Sequence, residues 1–157
     1  MLTFEQMLVR LLLALALGAL MGLERELVGK EAGVRTSLTV SGGAAIFSMV
    51  GLTLPELTCT SASGANFAVI ANIVIGIGFL GAGIIVKTEE RVHGLTTAAV
   101  VWATAAIGML AGIGLFKFAV VSAVLLAGLL YALRKAGIVE IIELGSNKIS
   151  GRKTKKS

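Results

Sequence analysis

Gly76, Gly78 and Gly81 reproduce the G-x-G-x-x-G spacing with which some loops cradle a dinucleotide. That chemistry needs a strand before the glycines, a helix after them and an acidic residue about 20 positions further on. Here the glycines sit inside an uncharged stretch, and the chain reads Val100-Val101-Trp102 where the acid should be. No nucleotide cofactor is implied, nor any other. A divalent cation such as Mg²⁺ would seek carboxylates and water. The chain has no Asp, and none of its Glu residues falls in the uncharged stretches, so a buried carboxylate relay is missing. Only Glu24 and Glu26, at the edge of the first apolar run, or the amide and hydroxyls of Asn72, Thr97 and Thr104, are placed to meet a cation. Cys59 stands alone, which excludes an internal disulfide and a thiolate metal site. His93 is a lone loop histidine. The serines have no base beside them within a span, so no nucleophilic triad and no enzyme is implied.

The elements that carry these residues are apolar. Of 157 residues, 56% are hydrophobic and 15% charged, with a mean hydropathy of +0.94. A water-soluble domain carries about 25% charge, so lipid is the solvent this composition fits. Five spans are expected, at about 6–23, 36–54, 66–86, 95–115 and 118–133. Pro55 is expected to stop the second, and Lys117 to mark a tight turn before the fifth. The N-terminus lacks the basic n-region of a signal peptide, so the first run is read as a retained helix. The fold class is thus an all-α integral membrane bundle of about five helices: a transmembrane domain over 1–135 and a short basic tail over 136–157. The tail would begin with a short amphipathic helix from Gly137 and be disordered after Gly145, its basic residues resting on anionic lipid.

Charge sets the orientation. The segments 24–35 and 87–94 and the tail from Arg134 hold 12 of the 14 Lys and Arg residues. The two connections on the other side hold only Lys117, and Arg10 lies inside the first span. The positive-inside rule places the N-terminus outside and the C-terminus in the cytosol. The same patterning excludes nucleic acid as a partner, because the basic residues are topology signals rather than one binding face.

Lipid gives helices no hydrophobic reason to associate, so small residues that permit close approach decide the packing. Gly18-x-x-x-Gly22 and Gly108-x-x-x-Gly112 are direct matches. At helical spacing, Asn72, Gly76, Phe79 and Gly83 share a face, as do Thr97, Val101, Thr104 and Gly108, and Arg35, Thr39, Gly42 and Ile46. These faces describe either a tightly packed bundle with internal hydrogen bonds or a polar path between spans two, three and four. Glu24 and Arg35 flank adjacent helix ends and are placed to pair. Trp102, near mid-span, is expected to pack inside.

Four blocks resemble the MgtC/SapB family: Gly22-Leu-Glu-Arg-Glu26, Gly33-Val-Arg-Thr36, Gly76-Ile-Gly-Phe-Leu-Gly-Ala-Gly83, and Gly94-Leu-Thr-Thr-Ala-Ala99 with Trp102. They occur in the family's order across about residues 5–135. The resemblance implies a five-span protein of the prokaryotic inner membrane. Family members are associated with growth at low Mg²⁺, intracellular virulence, acid stress and, in some cases, inhibition of the F-type ATP synthase. Carried over by motif, the functional positions are Glu24, Arg25, Arg35, Thr36, Gly76, Gly78, Gly81, Gly83, Gly94, Thr96, Thr97 and Trp102. Two departures stand out: the C-terminal cytosolic module of many members is expected to be absent, and Ala103 occupies the position of the Cys found in virulence-associated members. The expected role is non-enzymatic, in magnesium or envelope-stress homeostasis, through contact with another membrane protein, with a homodimer suggested by the glycine faces. A small transporter or channel using the polar faces of spans two to four is the alternative. The orientation makes a direct prediction: protease added to sealed, intact cells leaves the chain beyond Arg134 uncut, whereas protease on inverted vesicles removes it.

Overall fold

In a computed structural model, residues 2–58, 62–89 and 91–136 are described, and they form five helices and one short ribbon. The tail from Gly137, with its expected amphipathic start and disordered end, lies outside the described residues, as does Cys59. The helices are α1 (Phe4–Leu27), α2 (Val34–Thr58), α3 (Ala62–Ile84), α4 (Leu95–Ile113) and α5 (Phe116–Lys135). Four of them are long and apolar enough to cross a membrane by their described residues, and α3 adds the apolar stretch Ala68–Ile84. The expected all-α membrane bundle is the fold observed.

The boundaries differ from expectation for local reasons. Helix α1 begins at Phe4 because Thr3 and Gln6 form a reciprocal capping box that satisfies two otherwise free backbone N–H groups. It ends at Leu27 rather than near 23, so Glu24, Arg25 and Glu26 belong to its last turn and not to a loop. Helix α2 begins at Val34, placing Arg35 and Thr36 in its first turn. It runs to Thr58, past Pro55. A proline removes one N–H donor and with it one helical bond, and the helix continues for only three residues beyond it. Helix α3 ends at Ile84, and the expected turn over Lys87–Gly94 is a two-stranded antiparallel ribbon, β1 (Val86–Lys87) with β2 (Val92–His93). Lys117 lies in the first turn of α5; the bend before it is Gly114, with a φ of 95°.

Helices α1, α2 and α4 form the core, α5 packs on α1 and α4, and α3 packs on α2 and α4. Glycines set the spacing. A Cβ at Gly18 would lie 2.7 Å from the Ser37 carbonyl oxygen and from Ser41 Cβ, and one at Gly22 would lie 2.5 Å from Val34 Cα. On α4, a Cβ at Gly108 would overlap the Ser41 carbonyl, and one at Gly112 would lie 2.6 Å from the Ala45 carbonyl oxygen. The four packing glycines expected from sequence are therefore used within one chain. Three of the hydroxyls buried among these helices are hydrogen-bonded where lipid could not serve them. Ser41 Oγ donates to the Ala14 carbonyl at 2.7 Å, Ser48 Oγ to Ala44 at 2.7 Å and Thr104 Oγ1 to Val100 at 2.8 Å.

The glycine block of α3 behaves differently. Gly81 meets Ala98 at ordinary contact distance, but a Cβ at Gly76, Gly78 or Gly83 would meet nothing within 4 Å. Among the described residues, three of the four glycines of that block thus make no close helix contact. The contrast is testable by unfolding purified variants. Gly108→Ala should destabilise by roughly 1–3 kcal/mol through overpacking. Gly76→Ala should be neutral or stabilising, because it fills open space and a helix-interior glycine costs about 1 kcal/mol against alanine.

Candidate functional site

Charged side chains meet the α1–α2–α4 core at its two ends. At the end holding the α1 C-terminus, Glu24 and Arg25 are 7% and 6% exposed. Arg25 Nε and Nη2 both engage Glu24 Oε2, and Glu24 Oε1 has no partner among the described residues. The expected Glu24–Arg35 pair is not formed: Arg35 is exposed on the first turn of α2, and Glu24 is committed to its chain neighbour. Extending α1 by one turn carries Glu24 into the bundle and leaves Arg35 at its surface. Glu26 has a separate task. Its Oε2 accepts the backbone N–H of Val34 at 2.9 Å, placing a carboxylate on the free N–H groups at the α2 N-terminus. The two weak cation candidates are thus each engaged by protein donors, and no cluster of three or more His, Cys, Asp or Glu exists among the described residues.

Above the pair, Ser37 is fully buried on α2, and its Oγ has no partner among the described residues. Thr97, in the first turn of α4, is 5% exposed. Ala32 covers this end: it is 4% exposed and clusters with Val101, Ala105, Ile73 and Ile77. Gly94 takes a φ of 84°, and a Cβ there would run into the Ile84 carbonyl, so glycine lets the end of α3 approach the start of α4. Thr96 is exposed beside it.

At the opposite end the sequence offers Arg10, to which no role is assignable from spacing alone. Its Nη1 donates to the Gly112 carbonyl at 2.8 Å, and the guanidinium lies over Gly114, the α4 C-cap. A cation here satisfies a free carbonyl and complements the negative end of the α4 dipole. The signal that marks it is a charge inside an otherwise apolar span.

Residues grouped by helical spacing do not make a common path. Thr97, Val101, Thr104 and Gly108 are buried, Val101 in a cluster with Ile73 and Ile77 of α3 and Gly108 against Ser41 of α2, but Arg35, Thr39 and Ile46 are exposed and Gly42 packs on Leu15 of α1. Gly108 and Gly112 close the α2–α4 seam. Trp102 is 53% exposed on the outer surface of α4, contrary to the expected inward packing, because its neighbour Val101 takes the inward position. The cavity present lies instead between α2 and α3. It has a volume of about 620 Å³ and is lined by Thr39, Gly43 and Phe47 from one helix and Asn72, Gly76 and Leu80 from the other, with Ile73 and Ile77 at its floor. Thr39 Oγ1 is satisfied by the Arg35 carbonyl at 2.8 Å. Asn72 is exposed and makes no hydrogen bond among the described residues.

This is a multi-pass membrane protein whose core is closed by glycine contacts and pinned by a buried ion pair. Residues 11–137 match the MgtC family model, and the chain belongs to that family. It is 43% identical over 126 residues to Protein MgtC of Salmonella typhimurium strain 14028s, covering 80% of this chain and 52% of the relative. Protein MgtC of Brucella abortus strain 2308 is 41% identical over 130 residues, covering 83% and 51%. Protein SrpB of Synechococcus elongatus is 41% identical over 120 residues, covering 71% and 66%. The chain spans about half the length of the MgtC proteins it matches. No solved structure matches it.

The buried pair carries a stability prediction. Arg25→Ala leaves a buried carboxylate uncompensated and should destabilise by about 3–5 kcal/mol. The double variant Glu24→Gln/Arg25→Met should recover much of that loss. Denaturant titration of the purified proteins in detergent measures both.

Proposed function

We propose that this chain is a non-enzymatic protein of the prokaryotic inner membrane, acting in magnesium and envelope-stress homeostasis through contact with another membrane protein. Residues 1–135 are its transmembrane domain, oriented N-terminus outside, and 136–157 its basic cytosolic tail. The magnesium context rests on family membership. The contact mechanism rests chiefly on one observation: the α1–α2–α4 core is closed by glycine contacts, while polar and small residues on α3 face outward. A passage for ions needs polar groups lining a continuous opening. The sequence suggested one between spans two, three and four; there the α2–α4 seam is occupied by backbone in contact with backbone, and the α2–α3 groove is lined mainly by apolar residues, with Thr39 and Asn72. The F-type ATP synthase is the partner the family resemblance suggests. No observation on the polar faces favours transport over contact.

The experiment is genetic and biochemical. Deleting the gene should impair growth at limiting Mg²⁺, and the wild-type chain should restore it while Arg25→Ala does not. ATP hydrolysis by inverted membrane vesicles should change with the level of this protein. Proteoliposomes holding the purified chain should show no Mg²⁺ flux above protein-free liposomes; flux lost on Asn72→Leu or Thr97→Val would replace this reading with transport.

A further inference from the structure

We infer that the α2–α3 groove is the interface of a symmetric dimer, with Asn72 of one copy hydrogen-bonded to Asn72 of the other. Asn72 lies inside the apolar stretch Ala68–Ile84 of α3, about one turn from its middle, where lipid offers neither donor nor acceptor. Its side chain is exposed and unbonded among the described residues. Polar groups in that position normally turn inward or find a partner. Gly43 and Gly76 open the groove on its two walls, and a Cβ at either would meet nothing within 4 Å. Glycine is among the least favoured residues inside a helix, and no neighbour among the described residues requires it at these two positions. Both features are explained by an occupant that comes close and carries an amide-like group.

A second copy meets both conditions. Copies inserted in one orientation bring Asn72 to one depth, and a carboxamide has both donors and an acceptor, so it complements itself across a two-fold axis. An acyl chain would fill the groove but leave the amide bare. The glycines on α1 and α4 cannot serve this purpose, because they are consumed within the chain. The inference is independent of the magnesium context, but it gives to a second copy the outward α3 face on which the contact reading rests; growth at limiting Mg²⁺ tests that reading and energy transfer tests this one.

The test uses the full chain with Cys59→Ser, labelled at its C-terminus and diluted in liposomes of phosphatidylethanolamine and phosphatidylglycerol. Energy transfer between donor- and acceptor-labelled copies reports dimer fraction. The wild type should dimerise, and Asn72→Leu should weaken the dimer by about tenfold. Asn72→Gln, which keeps the amide, should recover most of the loss. Gly76→Leu, which projects into the groove from a position where a Cβ meets nothing within 4 Å, should weaken it further. Gly76→Cys should cross-link to itself on mild oxidation, and this decides the matter if Asn72→Leu misfolds. A monomer at every dilution overturns the inference, as does a dimer indifferent to both Asn72→Leu and Gly76→Leu. A Gly76→Cys adduct in cells containing only a different membrane protein, or a groove holding only lipid by native mass spectrometry, also overturns it.

Discussion

The structure depends on one constraint: three helices approach backbone to backbone around Ser41. Its hydroxyl holds the Ala14 carbonyl of α1, its Cβ fills the space beside Gly18, and its own carbonyl lies where a side chain at position 108 would be. In lipid no solvent pressure drives helices together, so attraction comes from close van der Waals contact and from hydrogen bonds that the bilayer cannot replace. Both operate here within one turn of α2. Gly22 extends the contact toward the end holding Glu24, and Gly112 extends it toward the end holding Arg10. Helices α3 and α5 are then added to a core already defined.

Charge fixes the two ends of that core in different ways. Arg10 sits where the carbonyls of α4 run out, so a single cation answers both a free acceptor and the helix dipole. Glu26 answers the complementary need at the start of α2. Glu24 and Arg25 neutralise one another in a site from which water is largely excluded. A buried pair adds little net stability against an apolar replacement, but breaking it is costly, so it specifies how α1 must sit. Glu24, Arg25 and Glu26 stand side by side in sequence, and the fold commits the first two to each other and the third to the α2 N-terminus.

Much of this was legible from residue types. Long uncharged stretches gave five helices, and small residues four apart on α1 and α4 gave the tight contacts. The misreadings have physical causes. Hydropathy ends a span where charge begins, yet a helix continues while its backbone bonds are satisfied, so the Glu24–Arg25–Glu26 turn was assigned to a loop. Helical spacing groups residues on a face without saying what that face meets. Asn72 and Gly76 were therefore indistinguishable from Thr104 and Gly108, although the first pair faces outward and the second is buried. Trp102 and Val101 posed the same problem one residue apart. Arg10 was visible as a misplaced charge, but its carbonyl partner lies 102 residues away and leaves no local trace.

The claim that α1 and α2 meet through glycine at Ser41 is tested most directly by enlarging position 18. A Cβ there would lie 2.7 Å from Ser41 Cβ and from the Ser37 carbonyl oxygen. Gly18→Ala should therefore destabilise the purified chain by roughly 1–3 kcal/mol through overpacking, read by denaturant titration in detergent. Gly43→Ala, on α2 but facing open space, should be neutral or stabilising in the same titration. A Gly18→Ala chain as stable as the wild type would contradict the account.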